Sequence, residues 1–151
     1  MKLIHAEPAH LEEAAAIVRA SILSSYTSCY PKEVVDFFLH VIHTRENISR
    51  DIAAGTMWLM EEDGVRFGTG CVRDGELARV YLLPEYQGKG FGGQMMDFLE
   101  RQAGNRTVRL SPSLPAEEFY RKRGYVLVSH EDCPLGNGVT LCRDTMEKTL
   151  F

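Results

Sequence analysis

The stretch from Glu76 to Gly93 constrains the fold of this chain more than any other segment. It begins with an apolar, partly aromatic run over Leu77 to Leu83, which is typical of a β-strand. Pro84 ends the run, because proline has no N–H to give to a neighbouring strand. A glycine-dense turn follows, and a helical pattern begins at Gln94. The first N–H groups of a helix lack intrahelical partners, so a strand, glycine turn and helix in this order predict an anion-binding loop.

The spacing of the loop separates it from the common nucleotide loops. No Lys-Ser/Thr pair follows the glycines, which excludes the P-loop, and the pattern is not Gly-x-Gly-x-x-Gly. It is Gln-x-x-Gly-x-Gly, starting at Gln87 after the Val-Tyr-Leu-Leu-Pro strand. In this respect the chain resembles the GNAT family of acetyl-CoA-dependent N-acetyltransferases. The alternative is an ordinary glycine-rich turn between a strand and a helix.

The resemblance implies where acetyl-CoA would bind. In the family, the strand holds the pantetheine arm and the loop holds the pyrophosphate. An Asn that contacts the cofactor in many members is replaced here by a serine, which can still form a hydrogen bond. The implied cofactor contacts are Val80, Tyr81, Leu82, Gln87, Gly88, Lys89, Gly90, Phe91, Gly92, Gly93 and Ser113.

The resemblance also implies two catalytic side chains. The spacing of Ala116, Tyr120, Gly124 and Tyr125 matches a family pattern in which the tyrosine is the general acid for the departing thiolate. Glu76, at the start of the strand that leads into the glycine turn, matches the position of a glutamate base in some members of the family. The alternatives are a tyrosine that packs its helix on the sheet and a solvated glutamate beside a turn.

Two further features of the reacting centre are expected. Backbone N–H groups near Tyr81 and Leu82 would stabilise the oxyanion where two strands part, which is a feature of the family. Tyr26, Tyr30 and Trp58 are candidates for an acceptor pocket, although such residues are more often core or rim residues.

The periodicity along the chain predicts an α+β fold in one domain, residues 1–151, with a mixed, mostly antiparallel sheet flanked by helices. We expect an antiparallel meander turned by Asp63-Gly64 and Asp74-Gly75. Alternation would place Glu76, Ala78, Val80 and Leu82 on one face of its third strand. Strands are expected at residues 1–6, 57–60, 65–73, 76–83, 107–110, 125–129 and 139–148, with a loop at 130–138. Helices are expected at residues 11–22, 31–42, 47–54, 94–103 and 115–123.

Composition and charge limit the kinds of binding partner to expect. With 44% hydrophobic and 25% charged residues the chain is typical of globular proteins, and its net charge of −4 disfavours nucleic acid. Apolar runs are too short for a membrane span, so a cytoplasmic location without a membrane partner is the default. The four cysteines form no C-x-x-C pair and the five histidines show no ligand spacing, so no metal is expected.

The sequence therefore predicts an acetyl-CoA-dependent N-acetyltransferase that moves an acetyl group to a primary amine of a small molecule by direct attack on the thioester. A protein or peptide amine is the alternative acceptor. A CoA-binding sensor or partner-binding module without catalysis is the rival from another class, and the presence of Tyr120 counts against it. A second copy of the chain, in a homodimer, is a further candidate partner.

Overall fold

The computed structural model describes residues 1–104 and 106–150, and in them the chain forms one seven-stranded sheet with helices on both faces. The strand order is β1-β2-β3-β4-β5-β7-β6, and β4–β5 is the parallel pair among antiparallel neighbours. The strands are β1 Lys2–His5, β2 Met57–Glu62, β3 Val65–Arg73, β4 Glu76–Leu82, β5 Thr107–Leu110, β6 Val126–Gly136 and β7 Val139–Thr149. The helices are α1 Leu11–Ser25, α2 Lys32–Phe37, α3 Arg45–Ala53, α4 Phe91–Ala103 and α5 Glu117–Lys122. The predicted α+β architecture is confirmed.

Each face of the sheet has its own apolar core. Helices α1, α2 and α3 pack on one face around residues such as Ile22 and Ile48, whereas α4 and α5 cover the other. Met57, Met60, Met95 and Met96 are fully buried, and Met95 lies so close to Gly70 that a Cβ there would meet its sulfur at 2.8 Å. The glycine in β3 therefore permits α4 to approach the sheet.

The two predicted hairpin turns are present. Asp63 and Gly64 have φ of 52° and 78°, and Asp74 and Gly75 have φ of 46° and 77°. Positive φ at both central residues is the geometry that matches the twist of the flanking strands. These turns fix the register of the β2–β3–β4 meander.

A bulge in β4 overturns the predicted alternation of its side chains. Cys71 pairs with Ala78 and Thr69 pairs with Tyr81, so Arg79 and Val80 together oppose Gly70. Arg79 has φ of 49°, and the extra residue reverses which face each later side chain occupies. Ala78 packs with the α1–α3 core, whereas Val80 and Leu82 pack with the α4–α5 core, so the expected common face is wrong.

Three predicted boundaries are also corrected. The loop expected at residues 130–138 is mostly strand, because β6 continues to Gly136 and turns at Asn137-Gly138. Helix α4 begins at Phe91 rather than Gln94. The second helix passes into a π-helical turn over Phe38–Ile42, which rotates Val41 out to 54% exposure.

None of the helices in the described residues is sufficiently long and apolar to cross a bilayer.

Candidate active site

The glycine turn after β4 is built to leave backbone groups open. Gly90 precedes α4 with φ of 88°, and Gly88 has φ of 74°. A Cβ built at either glycine would meet no atom within 4 Å. The Gln87 side chain donates a hydrogen bond of 3.0 Å to the Leu82 carbonyl and holds the turn against the end of β4. The turn thus presents the unpartnered N–H groups of α4 beside free space, as an anion site requires.

One cavity of about 660 Å³ joins this turn to the predicted catalytic residues. Of the predicted site residues, its walls include Glu76, Val80, Tyr81, Leu82, Gln87, Gly88, Gly90, Gly92, Gly93, Ser113 and Tyr120. Lys89 and Phe91 lie outside it: Lys89 Nζ sits 5.7 Å from the centre of the Tyr86 ring, and the Phe91 ring packs on Phe67.

The cavity passes between β4 and β5, where the sheet opens. These strands share one paired position, Glu76 with Arg109. Beyond it, the cavity lies between Val80–Leu82 on β4 and the residues that follow Leu110. Backbone groups of β4 that would otherwise face a neighbouring strand are therefore available to a ligand.

Tyr120 lies in the wall formed by α5. The residue is 7% exposed, and its ring packs edge-on against Phe119 and Tyr125. Burial raises the pKa of Tyr120 above its usual value, and the charge of Arg123 partly opposes this rise. The hydroxyl is consequently protonated at neutral pH, as a hydrogen-bond donor must be.

Glu76 lies in the cavity wall, but not as a buried carboxylate. Its side chain is 45% exposed and forms ion pairs with Arg73 at 3.3 Å and with Arg109 at 4.0 Å. Glu76 is therefore not buried at the floor of the cleft. Any proton transfer to it would compete with two guanidinium groups for its oxygens.

A chain of buried polar groups, which sequence reasoning missed, leads to the cavity from the α1–α3 side. Asp51 accepts a 2.7 Å hydrogen bond from Arg79 Nε, and the Arg79 Nη1 lies 2.6 Å from His43 Nδ1. His43 Nε2 lies 2.9 Å from the Tyr81 hydroxyl, which lies 2.9 Å from the Tyr26 hydroxyl. The bulge in β4 makes the chain possible, since it places Arg79 and Tyr81 on the α1–α3 side of the sheet, where Ala78 also packs.

The direction of these hydrogen bonds follows from the arginine. A guanidinium can only donate, so His43 Nδ1 accepts and the ring proton is on Nε2. Burial, together with the charge of Arg79, lowers the pKa of His43 to about 3, which keeps the ring neutral. His43 then donates to Tyr81, and Tyr81 donates to Tyr26. This leaves the Tyr26 proton for a partner outside the buried chain; the Ser113 hydroxyl is one neighbour, and hydrogen bonding to it partly opposes the rise that burial causes in the pKa of Tyr26.

Aromatic residues from the end of α1 close the cavity on one side. The Tyr30 hydroxyl accepts a 2.8 Å hydrogen bond from the Leu114 N–H, and burial raises the pKa of Tyr30 to about 12. Tyr26 and Tyr30, two of the three candidates for an acceptor pocket, thus line the cavity. Trp58 does not: it stacks on His5 and packs against Phe98 at the far side of the sheet.

Comparisons with known proteins agree with this geometry. A family model for the acetyltransferase (GNAT) domain matches residues 53–127. A solved GCN5-related N-acetyltransferase from Rhodopseudomonas palustris is 25% identical with a TM-score of 0.88, over 99% of this chain and 95% of that chain. No curated protein sequence matches the chain.

Two other solved structures share the fold at lower identity. The PaiA N-acetyltransferase from Thermoplasma acidophilum, in complex with coenzyme A, is 21% identical with a TM-score of 0.75 over 98% of each chain. The ribosomal-protein-alanine N-acetyltransferase from Brucella melitensis is 18% identical with a TM-score of 0.70, over 99% of this chain and 100% of that chain.

Proposed function

This chain belongs to the GNAT family of N-acetyltransferases and uses acetyl-CoA, and from that premise we propose that it acetylates a primary amine of a small molecule. The observation that carries the proposal is the single cavity that joins the glycine turn, Tyr120 and Glu76. Acetyl-CoA supplies a thioester, whose carbonyl carbon the amine attacks directly. We propose that one domain, residues 1–151, carries the whole reaction.

The residues of the turn fit the cofactor. The open space beside Gly88 and Gly90 admits a pyrophosphate to the N–H groups at the start of α4. The exposed edge of β4 at Val80–Leu82 suits the amide groups of the pantetheine arm. Ser113, on the opposite wall, offers one hydroxyl. We assign Lys89 a supporting role at most, and for Phe91 a role of its backbone N–H alone, since their side chains lie outside the cavity.

Two tyrosines serve different parts of the reaction as donors. Tyr120 donates to the departing thiolate. Its pKa lies above that of a free thiol, about 8.5, so a hydrogen bond forms first and the proton follows as desolvation makes the thiolate more basic. Tyr26 donates from the other wall, with Tyr81 or Leu82 backbone N–H groups, to the oxygen on which negative charge develops.

The amine must lose its proton, and Glu76 is the candidate that takes it, directly or through a water. Its place in the cavity wall and its exposure suit an exchange of protons with solvent. Arg73 and Arg109 orient the carboxylate. The histidine of the buried chain is unsuited to this role, because its Nδ1 is occupied by Arg79 and its pKa is low.

The shape of the cavity favours a small acceptor over a peptide. Its volume of about 660 Å³ falls in the range of small-ligand sites, and the pantetheine end of acetyl-CoA would take up part of it. The Tyr30–Leu114 hydrogen bond ties the two walls together and leaves no open groove at that point. The fold alone does not choose an acceptor, since one neighbour is named for a ribosomal protein.

The test is a panel of small amines and of peptides with free N-termini or lysines, with acetyl-CoA as donor. Thiol release is followed, and the product mass identifies the acetylated species. Acetylated small amines, formed at rates that Tyr120→Phe lowers, support the proposal. Acetylation of peptides alone would overturn the small-molecule acceptor, and tight CoA binding without any transfer would favour the non-catalytic module.

A further inference from the structure

The hairpin of β6 and β7 carries a cluster of metal-ligating groups that the acetyl transfer does not use. His130 pairs with Asp144 and Asp132 pairs with Cys142 across the two strands. Because side chains alternate along a strand, these four residues share one face of the hairpin. Ligand atoms of His130, Asp132 and Cys142 lie within 4.8 Å of one another.

We propose that His130, Asp132 and Cys142 form a binding site for a zinc-like divalent transition-metal ion. The donor set is one imidazole nitrogen, one carboxylate oxygen and one thiolate sulfur. Such mixed ligands suit Zn²⁺ and its spectroscopic substitute Co²⁺, whereas Mg²⁺ and Ca²⁺ prefer oxygen alone.

The present spacing of the His130 and Asp132 ligand atoms requires only a small rearrangement to bind an ion. His130 Nε2 and Asp132 Oδ1 are 2.8 Å apart in a direct hydrogen bond. Two such atoms bound tetrahedrally at ~2.0–2.1 Å from one ion lie ~3.4 Å apart. Both side chains are more than half exposed, at 51% and 62%, so rotation of their side-chain torsions provides the difference without moving the backbone.

Asp144 gives the histidine the support that metal ligands usually have. Its Oδ1 lies 2.5 Å from His130 Nδ1. A carboxylate that accepts the Nδ1 proton fixes the tautomer in which Nε2 is free for the ion, and raises its basicity. Asp144 is therefore a positioning residue, and a water or a ligand would complete the coordination.

The charges also balance. With His130 protonated and Cys142 as a thiol, the four side chains carry a net charge of −1. A dication replaces one proton from the imidazole and one from the thiol, and the total remains −1. The site lies at the rim of the cavity, since Cys142 also lines it, but binding of the ion does not depend on the acetyl transfer.

The test is a Co²⁺ titration of the reduced protein without an affinity tag, near pH ~7.5, where a Cys or His ligand can lose its proton. The expected result is one Co²⁺ per chain, with a near-ultraviolet thiolate charge-transfer band and visible bands of tetrahedral intensity that Zn²⁺ removes. Cys142→Ser should abolish the charge-transfer band. Asp144→Asn should keep the spectrum but weaken binding about 10–100-fold.

Cys133→Ser is the matched control, because Cys133 pairs with Leu141 and lies on the other face of the same hairpin. It should leave the titration unchanged, and circular dichroism should show that every variant is folded. The proposal is overturned by no saturation below about 1 mM Co²⁺, which is a binding free energy of only about −4 kcal/mol. It is equally overturned by a thiolate band that survives Cys142→Ser or disappears in Cys133→Ser.

Discussion

At the scale of single residues, Tyr120 combines burial with access to the cavity. Its ring is held by Phe119 and Tyr125, and the residue lines the cavity. A phenylalanine would keep this packing and remove one proton. The side chain can therefore be tested for chemistry apart from its contribution to the core.

Tyr120→Phe should lower kcat about 10²–10⁴-fold, the usual contribution of general acid catalysis, with little change in CoA affinity. Tyr125→Phe is the matched control, because that hydroxyl lies 3.4 Å from Glu100 rather than in the cavity. Steady-state kinetics and calorimetry with CoA would make the comparison. Equal rates in wild type and Tyr120→Phe across pH would show that Tyr120 only packs α5 on the sheet.

Tyr26→Phe should lower kcat about 10²–10³-fold, as removal of one oxyanion donor does. The reason is that Arg79 fixes the tautomer of His43, which then donates to Tyr81 and leaves Tyr81 to donate to Tyr26. Tyr86→Phe, which alters a ring stacked on Phe67 on the other side of the sheet, should leave the rate unchanged. If Tyr26→Phe changes thermal stability but not kcat, the buried chain is structural.

Glu76→Gln should slow acetylation most at pH values below the pKa of the amine, where little neutral amine exists. At high pH the amine is already neutral and the two proteins should converge. The measurement is kcat/KM against pH with an amine found in the panel. Profiles that run parallel at all pH values would show that Glu76 is not the base.

At the scale of elements, the glycine turn and the start of α4 are expected to bind the phosphate together. Positive φ at the turn glycines makes a substitution there hard to interpret, because any other residue is strained. Gly90→Ala adds a Cβ where the phosphate is expected, but a left-handed backbone costs an alanine roughly 1–2 kcal/mol anywhere. Gly64→Ala, with φ of 78° in a distant hairpin and equally open space, carries the same strain. Only Gly90→Ala should weaken CoA binding in calorimetry. Equal affinities in the two variants would place the pyrophosphate elsewhere.

Elements that depend on local sequence could be predicted, whereas contacts between distant segments could not. The turn and Tyr120 were readable because each motif is local in the chain. Asp51, Arg79 and His43 were not, because they are distant in sequence and meet only through a bulge. Bulges of this kind often carry glycine, but here the residue with φ of 49° is Arg79. The sequence of residues 130–138 predicts a loop, since Pro134, Gly136 and several charged residues are typical of turns, although most of the segment pairs as strand.

At the scale of the whole molecule, the buried chain makes stability depend on pH. Asp51 is 5% exposed and Arg79 is 9% exposed, so their charges are compensated by each other. His43 joins this pair as a neutral ring. Its pKa of about 3 in the folded protein lies below that of an unfolded histidine, about 6.5.

The unfolded chain therefore binds more protons below pH ~6.5, and the free energy of unfolding should fall as pH falls from there toward 3. From pH 7 to 5, His43 alone should remove about 2 kcal/mol. His43→Gln keeps one acceptor and one donor without titrating, so its denaturant midpoint should depend less on pH. Identical pH dependence in the two proteins would contradict the buried neutral histidine.

The hydrogen bond from the Leu114 N–H to Tyr30 gives this protein a built-in reporter of its own opening. Leu114 begins a short 3₁₀ turn, so its amide has no acceptor within that turn and depends on a residue from the opposite wall. Exchange of this one amide hydrogen with solvent deuterium requires the bond to Tyr30 to break, and under conditions where every break leads to exchange, its rate is the rate at which this tie opens. Turnover faster than that exchange would mean that substrates enter and leave from the open ends while the tie between the walls stays intact.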